Sequence, residues 1–391
     1  MNIKTFSIDL KNKKRLIPQV ITLISIISAI SYFAFNAQVN MDNRGIAFGF
    51  GFLSQEASFD IGFSLIDYDG SYSYARAFLV GLLNTLLVSV IGIFFATLIG
   101  VTIGIGRLSS NYLVAKFSEV YVEVFRNIPL LLQLFFWYFA ALRALPLPEA
   151  AMNFNDISYL TVKGWYVPKF IWTNFSIFIY SVIASIIAIN FISKYAKKQR
   201  EEFGKHIPLF YIGIILLFTI PALSFLIGGV ELKFEIPVLK QMSATIFNFH
   251  GGVSIIPELM ALAMALSMYT ATFIAENVRA GILGIGKGQK EAAASIGLTK
   301  KQILKLVVLP QALRIIIPPT TNQYLNLTKN SSLAAAIAYP DIVLVFAGTA
   351  LMQTGRAIEI VSITMGTYLL ISLSISSFMN WYNQSVAIKE K

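Results

Sequence analysis

Cysteine is absent from this 391-residue chain, and histidine occurs only twice, at His206 and His250. Disulfide bonds and iron–sulfur clusters are therefore excluded, and a zinc site of the usual kind is not expected. Charge is scarce as well, because 13% of the residues are charged, compared with roughly a quarter in soluble domains. This shortage excludes an ordinary soluble domain of the same length.

Long uncharged runs fill the space between the few charged clusters, and hydrophobic residues reach 56% of the chain. A helix needs about 20 apolar residues to cross a bilayer. The runs do not alternate between polar and apolar residues as the strands of a membrane barrel do. The sequence therefore predicts an all-α polytopic membrane protein with eight transmembrane helices, at about 16–35, 77–106, 127–142, 170–193, 207–230, 258–280, 314–338 and 360–383.

The first run follows a basic segment that contains Lys11, Lys13, Lys14 and Arg15. A signal peptide begins in the same way, but no small-x-small cleavage site ends this run, so we expect a retained anchor. Residues 36–76 are rich in glycine, aspartate and aromatic side chains. That composition predicts an exported loop.

The positions of lysine and arginine predict the orientation in the membrane. With the N-terminus in the cytoplasm, 22 of the 31 Lys and Arg residues lie in inside segments, 8 lie outside and Lys329 lies within a span. This asymmetry satisfies the positive-inside rule and puts both termini in the cytoplasm. Because topology accounts for most of the net charge of +11, nucleic acid is not predicted as a partner.

The inside loop at 291–310 reads EAAASIGLTKKQILKLVVLP. Glycine is favoured just beyond a helix C-terminus, so Gly297 ends a first short helix. Thr299 and Gln302 have the spacing of a capping box, which predicts the start of a second helix. Pro310 cannot continue that helix without losing a hydrogen bond. The loop is therefore predicted to form a bent pair of short helices.

The same loop resembles the EAA-x3-G-x9-I-x-LP signature of permease subunits of ABC importers, with Val307 where the family usually has Ile. In that family the element is a coupling helix that inserts into a groove on the ATPase subunit. An ordinary connecting loop is the alternative. The resemblance implies that the coupling residues are Glu291, Ala292, Ala293, Gly297, Leu309 and Pro310.

Three other segments are similar to the branch of this family that takes up polar amino acids. The first is Asn84-Thr85-Leu86, which resembles the start of the permease core. The other two are the E-x-x-R-x-x-P-L-L-x-Q pattern at 123–133 and the segment 270–282. The match covers about 77–383, preceded by residues 1–76 and followed by a tail at 384–391. An insertion at about 145–250 adds two spans to the usual core of five, as in the larger permeases of general L-amino-acid and glutamate/glutamine/aspartate/asparagine importers.

The resemblance implies a type I importer fold in a bacterial inner membrane and a transport subunit with no catalysis or cofactor of its own. It also implies partners: two ATPase subunits that hold ATP and Mg, a periplasmic amino-acid-binding protein, and a second, related permease rather than a second copy. A near-match to a phosphate loop, Gly281 to Lys287, has Gly288 where a magnesium-binding Ser or Thr would stand. We expect no nucleotide there, so an ATPase partner is needed.

Polar residues at membrane depth are candidates for translocation, because burying a lone charge in lipid costs several kcal/mol. Lys329 follows Pro318-Pro319, a pair expected to break its helix, and could bind an amino-acid carboxylate. A salt bridge to another subunit is the alternative for Lys329, and an ion pair with Arg279 is the alternative for Glu276. The translocation candidates are Lys329, Asn330, Ser331, Ser332, Glu276, Asn277 and Gln133; the candidate gate is Glu123 with Arg126.

Two other classes compete with this interpretation. A secondary transporter driven by an ion gradient would need several acidic residues within spans and internal repeats, whereas Glu276 is nearly alone. A membrane-embedded enzyme would need a cluster of catalytic side chains, which two distant histidines do not provide.

Overall fold

The computed structural model describes residues 13–43, 45, 49–205, 207–226, 229–243 and 246–386. Lys11, His206 and the tail from 387 onward lie outside the described residues. The chain forms two compact units. Unit 1 comprises Met1–Ile128 and Leu266–Lys391, and unit 2 comprises Pro129–Ala265.

Helices dominate the described residues, which supports the predicted helical membrane protein. The helices are α1 (Lys13–Asn43), α2 (Tyr74–Gly106), α3 (Tyr112–Asn127), α4 (Leu130–Phe135, continued by a π-helical turn at Phe136–Leu142), α5 (Phe175–Phe203), α6 (Leu209–Leu226), α7 (Pro257–Leu283), α8 (Lys287–Ser295), α9 (Lys300–Ile337), α10 (Val343–Thr354) and α11 (Ala357–Val386). A 3-10 turn at Phe50–Ser54 precedes α2, and another lies at Pro148–Ala150.

The predicted number of eight spans is not confirmed. Six of the described helices are long and apolar enough to cross a membrane, or seven if α3 and α4 form one span. Between those two helices, Ile128 and Pro129 have extended backbone conformations, as expected for a proline and the residue before it. The apolar part of α6, Tyr211–Leu226, is shorter than the other spans.

Short strands in unit 2 were missed by the all-α prediction. One antiparallel sheet has the strand order β1-β2-β3-β8, formed by Met152–Phe154, Ser158–Thr161, Gly164–Val167 and Val253–Ile255. The two hairpins are β4-β5 (Lys169–Thr173 with Glu231–Glu235) and β6-β7 (Val238–Ser243 with Ile246–His250). These strands have three to six residues each, so their alternation is too brief to recognise. Two of the five pairings, β3 with β8 and β4 with β5, join segments distant in sequence.

Helices α5 and α6 extend the β4-β5 hairpin, so that Thr173 at the start of α5 pairs with Glu231 just after α6. Aromatic rings gather at this end, where Trp172 lies 5.0 Å from Phe178 and 6.0 Å from Phe225 between ring centroids. The opposite end of α5 carries basic residues. Aromatic side chains at one end and cations at the other are typical of a membrane-spanning hairpin.

In unit 1, α2 lies in close contact with the C-terminal half of α7. A Cβ atom on Gly100 would lie 2.7 Å from the Cβ of Ile274, and one on Gly104 would lie 2.7 Å from the carbonyl oxygen of Ala275. Small residues allow helix backbones to approach closely in lipid, where apolar burial alone provides little driving force between helices.

Helix α9 differs from the prediction, because neither Pro310 nor Pro318-Pro319 ends it. A π-helical turn at Ile303–Val308 precedes Pro310, and proline is tolerated where the hydrogen-bond pattern changes from one helix type to another. The break comes later: Ser331–Ile337 is 3-10 helix, and Ala338 ends it with φ of 59°. The predicted break therefore exists but lies at the candidate residues rather than at the prolines.

We predict opposite outcomes for two alanine substitutions at helical glycines. Gly100→Ala should lower the midpoint of thermal unfolding in detergent, because the new Cβ would overlap Ile274. Gly366→Ala in α11 should leave the midpoint unchanged or raise it, since no atom lies within 4 Å of that Cβ position and alanine has the higher helix propensity. An equal decrease of the unfolding midpoint in both variants would contradict the close α2–α7 contact.

Candidate functional site

The loop 291–310 begins within α8, and the turn after α8 matches the sequence prediction. Gly297 has φ of 83°, and its N–H donates to the carbonyl of Ala294 at 2.9 Å. The capping box is present: the N–H of Thr299 donates to Oε1 of Gln302 at 2.9 Å, and the N–H of Gln302 donates to Oγ1 of Thr299 at 3.4 Å. The second helix of the pair is the start of the long α9.

Most of the predicted coupling residues are accessible. Glu291, Ala292, Gly297 and Leu309 are exposed, Pro310 is half-buried and Ala293 is buried. Ile296 leaves 77% of its surface exposed at the tip of the turn, a feature that the sequence pattern did not single out.

The helix pair is attached firmly to the spans. Ile285 after α7 packs with Val308 and Ala312 of α9 in a buried cluster. Ile282 and Ile303 pack against the same cluster. This packing joins the end of α7 to the start of α9.

Glu276 on α7 is the centre of a charged cluster. Its carboxylate accepts from Arg279 at 2.8 Å and from Nη1 of Arg107 at the end of α2. The spacing in the sequence predicted Arg279 as a possible partner. Arg107 was not predicted, because its contact with Glu276 joins residues far apart in the chain. Asn277 follows, with a buried side-chain nitrogen that has no hydrogen-bond partner within the described part of the chain.

Lys329 lies at the end of the α-helical part of α9 and lines a groove of about 580 Å³. Ser332 lines the groove as well, and the facing surface comes from Thr364, Tyr368 and Ser372 of α11. The lysine is exposed, and none of the ion pairs between described residues involves it. A single free cation among hydroxyl and apolar groups is suited to a small anionic group.

The neighbours of Lys329 differ in access to the groove. Ser332 is half-buried, and its hydroxyl donates to the carbonyl of Lys329 at 2.8 Å. Ser331 is fully buried and donates to the carbonyl of Thr328 at 2.7 Å. Asn330 is half-buried. Of the predicted group, Lys329 and Ser332 thus line the groove together.

The break beside Lys329 is held by α2. The amide nitrogen of Asn84 donates to the carbonyl of Pro340 at 2.9 Å, and the hydroxyl of Tyr339 donates to the backbone oxygen of Asn84 at 2.9 Å. The N–H of Ile342 donates to Oγ1 of Thr85 at 3.0 Å. The Asn84-Thr85 motif therefore fixes the turn between α9 and α10, a role that the sequence did not indicate.

The candidate gate residues do not form an ion pair with each other among the described contacts. Glu123 accepts from the amide of Asn127 at 3.3 Å, and the guanidinium of Arg126 lies 5.6 Å from the ring centroid of Phe273. Both gate residues are exposed. Gln133 is buried in α4 and belongs to unit 2.

Comparison with known proteins identifies the family. Residues 202–388 match the model of the binding-protein-dependent transport system inner membrane component. The general L-amino acid transport system permease AapQ of Rhizobium johnstonii is 48% identical over 374 residues, which cover 95% of this chain and 92% of AapQ. The chain belongs to the family of ABC importer permeases.

Two further relatives match this permease over nearly its whole length. The putative amino-acid ABC transporter permease YhdX of Escherichia coli K12 is 46% identical, covering 95% of this chain and 94% of YhdX. The glutamate/glutamine/aspartate/asparagine transport system permease BztB of Rhodobacter capsulatus is 38% identical, covering 95% and 93%. The predicted family is confirmed, and a secondary transporter or a membrane enzyme is not favoured.

We predict a stronger coupling energy for Arg107–Glu276 than for Lys116–Glu119. The first pair is less exposed, at 16% and 32% against 52% and 48%. A double-mutant cycle with Gln at each position, read from unfolding free energies in detergent, should give about 1 kcal/mol or more for the first pair and about 0–1 kcal/mol for the second. Equal coupling energies would contradict the structural role of Glu276.

Proposed function

We propose that this permease imports polar L-amino acids with energy from a partner ATPase, at the inner membrane of a bacterium. The observation that carries the proposal is the exposed pair formed by α8 and the start of α9, which is packed rigidly onto α7. The names of AapQ, YhdX and BztB support amino acids as the class of substrate.

The proposed coupling step is mechanical. The two ATPase subunits would hold ATP and Mg. One of them would receive the helix pair of this chain in a groove, with Glu291 and Ile296 at the contact, and the other would receive the helix pair of the second permease. Closure of the ATPases would move α8, and the cluster around Val308 would pass the movement to α7 and α9. This chain performs no covalent chemistry in that cycle.

The proposed substrate contact is the groove at Lys329. The ammonium group would bind the α-carboxylate, and Ser332 would contribute its hydroxyl once it turns from its backbone partner. Asn330, Ser331, Asn277 and Gln133 stay candidates along the path. Glu276 is engaged by two guanidinium groups, so we assign it to holding the inner ends of α2 and α7 together.

The proposed topology has both termini in the cytoplasm, a binding protein on the outer side and a second, related permease beside this one. The basic end of α5 and the loop 291–310 would face the cytoplasm, and the aromatic end of the α5–α6 hairpin would lie at the outer interface. Glu123 and Arg126 would then lie near the inner mouth of the cavity, where we propose that they close it.

The test of this function is uptake of a labelled amino acid by vesicles that contain the purified complex, loaded with ATP inside and supplied with the binding protein outside. We expect uptake that requires ATP hydrolysis. Uptake that continues with a hydrolysis-deficient ATPase, or that follows an imposed ion gradient without ATP, would exclude an ATP-driven importer.

We predict that Gly297→Ala reduces ATP-driven uptake, because an L side chain at φ of 83° costs roughly 1–2 kcal/mol and shifts the turn. Glu291→Lys should abolish uptake by reversing the charge at the contact. Gly286→Ala is the matched control, since its φ is −54° and its Cβ position is open. All three variants should reach the membrane in wild-type amounts. Normal uptake by Gly297→Ala and Glu291→Lys would contradict the coupling role.

We predict that Lys329→Gln lowers uptake at least tenfold, because the carboxylate loses its charged partner. Lys329→Arg should keep part of the activity. Lys240→Gln removes an exposed lysine from strand β6 and should transport normally. A second measurement, the stimulation of ATP hydrolysis by the loaded binding protein, distinguishes substrate contact from ATPase coupling. Lys329→Gln should retain this stimulation, whereas Glu291→Lys should lose it. Wild-type uptake by Lys329→Gln would exclude the groove as the substrate site.

A further inference from the structure

A second cavity of about 270 Å³ lies in unit 1, where α2 ends and α3 begins. It is lined by Arg107 after α2, by Tyr112, Lys116 and Glu119 of α3, and by Arg279 of α7. The groove at Lys329 contains none of these residues. The coupling contacts of α8 and α9 do not use them either.

Positive charge is in excess around this cavity. Lys116 pairs with Glu119 at 2.9 Å, and Glu276 pairs with both Arg107 and Arg279. Three cations therefore face two carboxylates. Each guanidinium has five N–H donors, and the contacts with Glu276 use one nitrogen of Arg107 and two of Arg279. Donors remain for an anion, and the positive end of the α3 dipole lies beside them.

Large apolar side chains on α3 are exposed next to this basic cavity. Tyr112, Leu113 and Phe117 leave 74%, 75% and 70% of their surfaces accessible. Val120 and Val124 continue the exposed surface at 48% and 45%. Leu113, Phe117, Val120 and Val124 follow helical spacing and share one face of α3. An apolar face beside basic residues is typical of a helix at the membrane interface.

We propose that this cavity binds the phosphate of an anionic phospholipid, whose acyl chains lie along Leu113, Phe117 and Val120. Arginine forms paired, charge-assisted hydrogen bonds with phosphate oxygens, and lysine adds a point charge. Charge and apolar surface together match a lipid better than a free anion, which would leave the apolar face uncovered. The inference does not depend on which substrate is transported.

The assembled complex in detergent is the material for the test, with dioleoyl phosphatidylglycerol, dioleoyl phosphatidylcholine or inorganic phosphate added and bound lipid counted by native mass spectrometry. We expect retention of phosphatidylglycerol but not of phosphatidylcholine. Lys116→Gln should weaken retention about fivefold, the effect of one basic residue at an anionic surface. Phe117→Ser should weaken it without a change of charge. Lys198→Gln, at an exposed pair in α5, should have no effect.

Several results would overturn the proposal. Displacement of phosphatidylglycerol by millimolar inorganic phosphate would assign the cavity to a free anion. Retention by the isolated chain but not by the complex would assign this face of α3 to a subunit contact. Equal retention by wild type, Lys116→Gln and Phe117→Ser would exclude the cavity as the lipid site. Equal unfolding midpoints of the variants without lipid ensure that each loss of binding is local.

Discussion

The turn between α9 and α10 depends on two polar side chains of α2. Asn84 and Thr85 are fully buried, and each bonds to the backbone of this turn. Inside a membrane, a broken helix leaves backbone groups that water cannot satisfy. The amide and the hydroxyl satisfy two of these groups, so the chain can tighten to 3-10 helix at Ser331 and reverse at Ala338. Without these contacts, the carbonyl of Pro340 and the N–H of Ile342 would lose these partners.

Both ends of α9, on the proposed function, carry functional residues. Its first residues belong to the exposed helix pair, and its last α-helical residues include Lys329. The helix runs through Pro310, Pro318 and Pro319, because each proline costs a hydrogen bond but keeps a helical φ. One continuous helix therefore stands where the sequence predicted two short ones. On the proposed function, this continuity links the ATPase contact to the groove.

The sequence predicted what depends on local patterns. Hydropathy predicted α2, α7 and α11 to within a few residues, and the spacing of Gly297, Thr299 and Gln302 predicted the turn and its cap. The sequence did not predict the pairing of β3 with β8 or the contact of Arg107 with Glu276, because both join distant residues. The expected break at Pro318-Pro319 was misplaced for a related reason: it depends on tertiary partners on α2 rather than on the prolines themselves.

Lys329 forms no ion pair with another described residue, and this constrains how the chain works. A lysine within a membrane-spanning helix costs up to about 2.5–3.5 kcal/mol on insertion scales. Water in the groove, a substrate carboxylate or an acidic residue of a neighbouring subunit can each provide the missing stabilisation. All three require an open cavity beside α9 and α11.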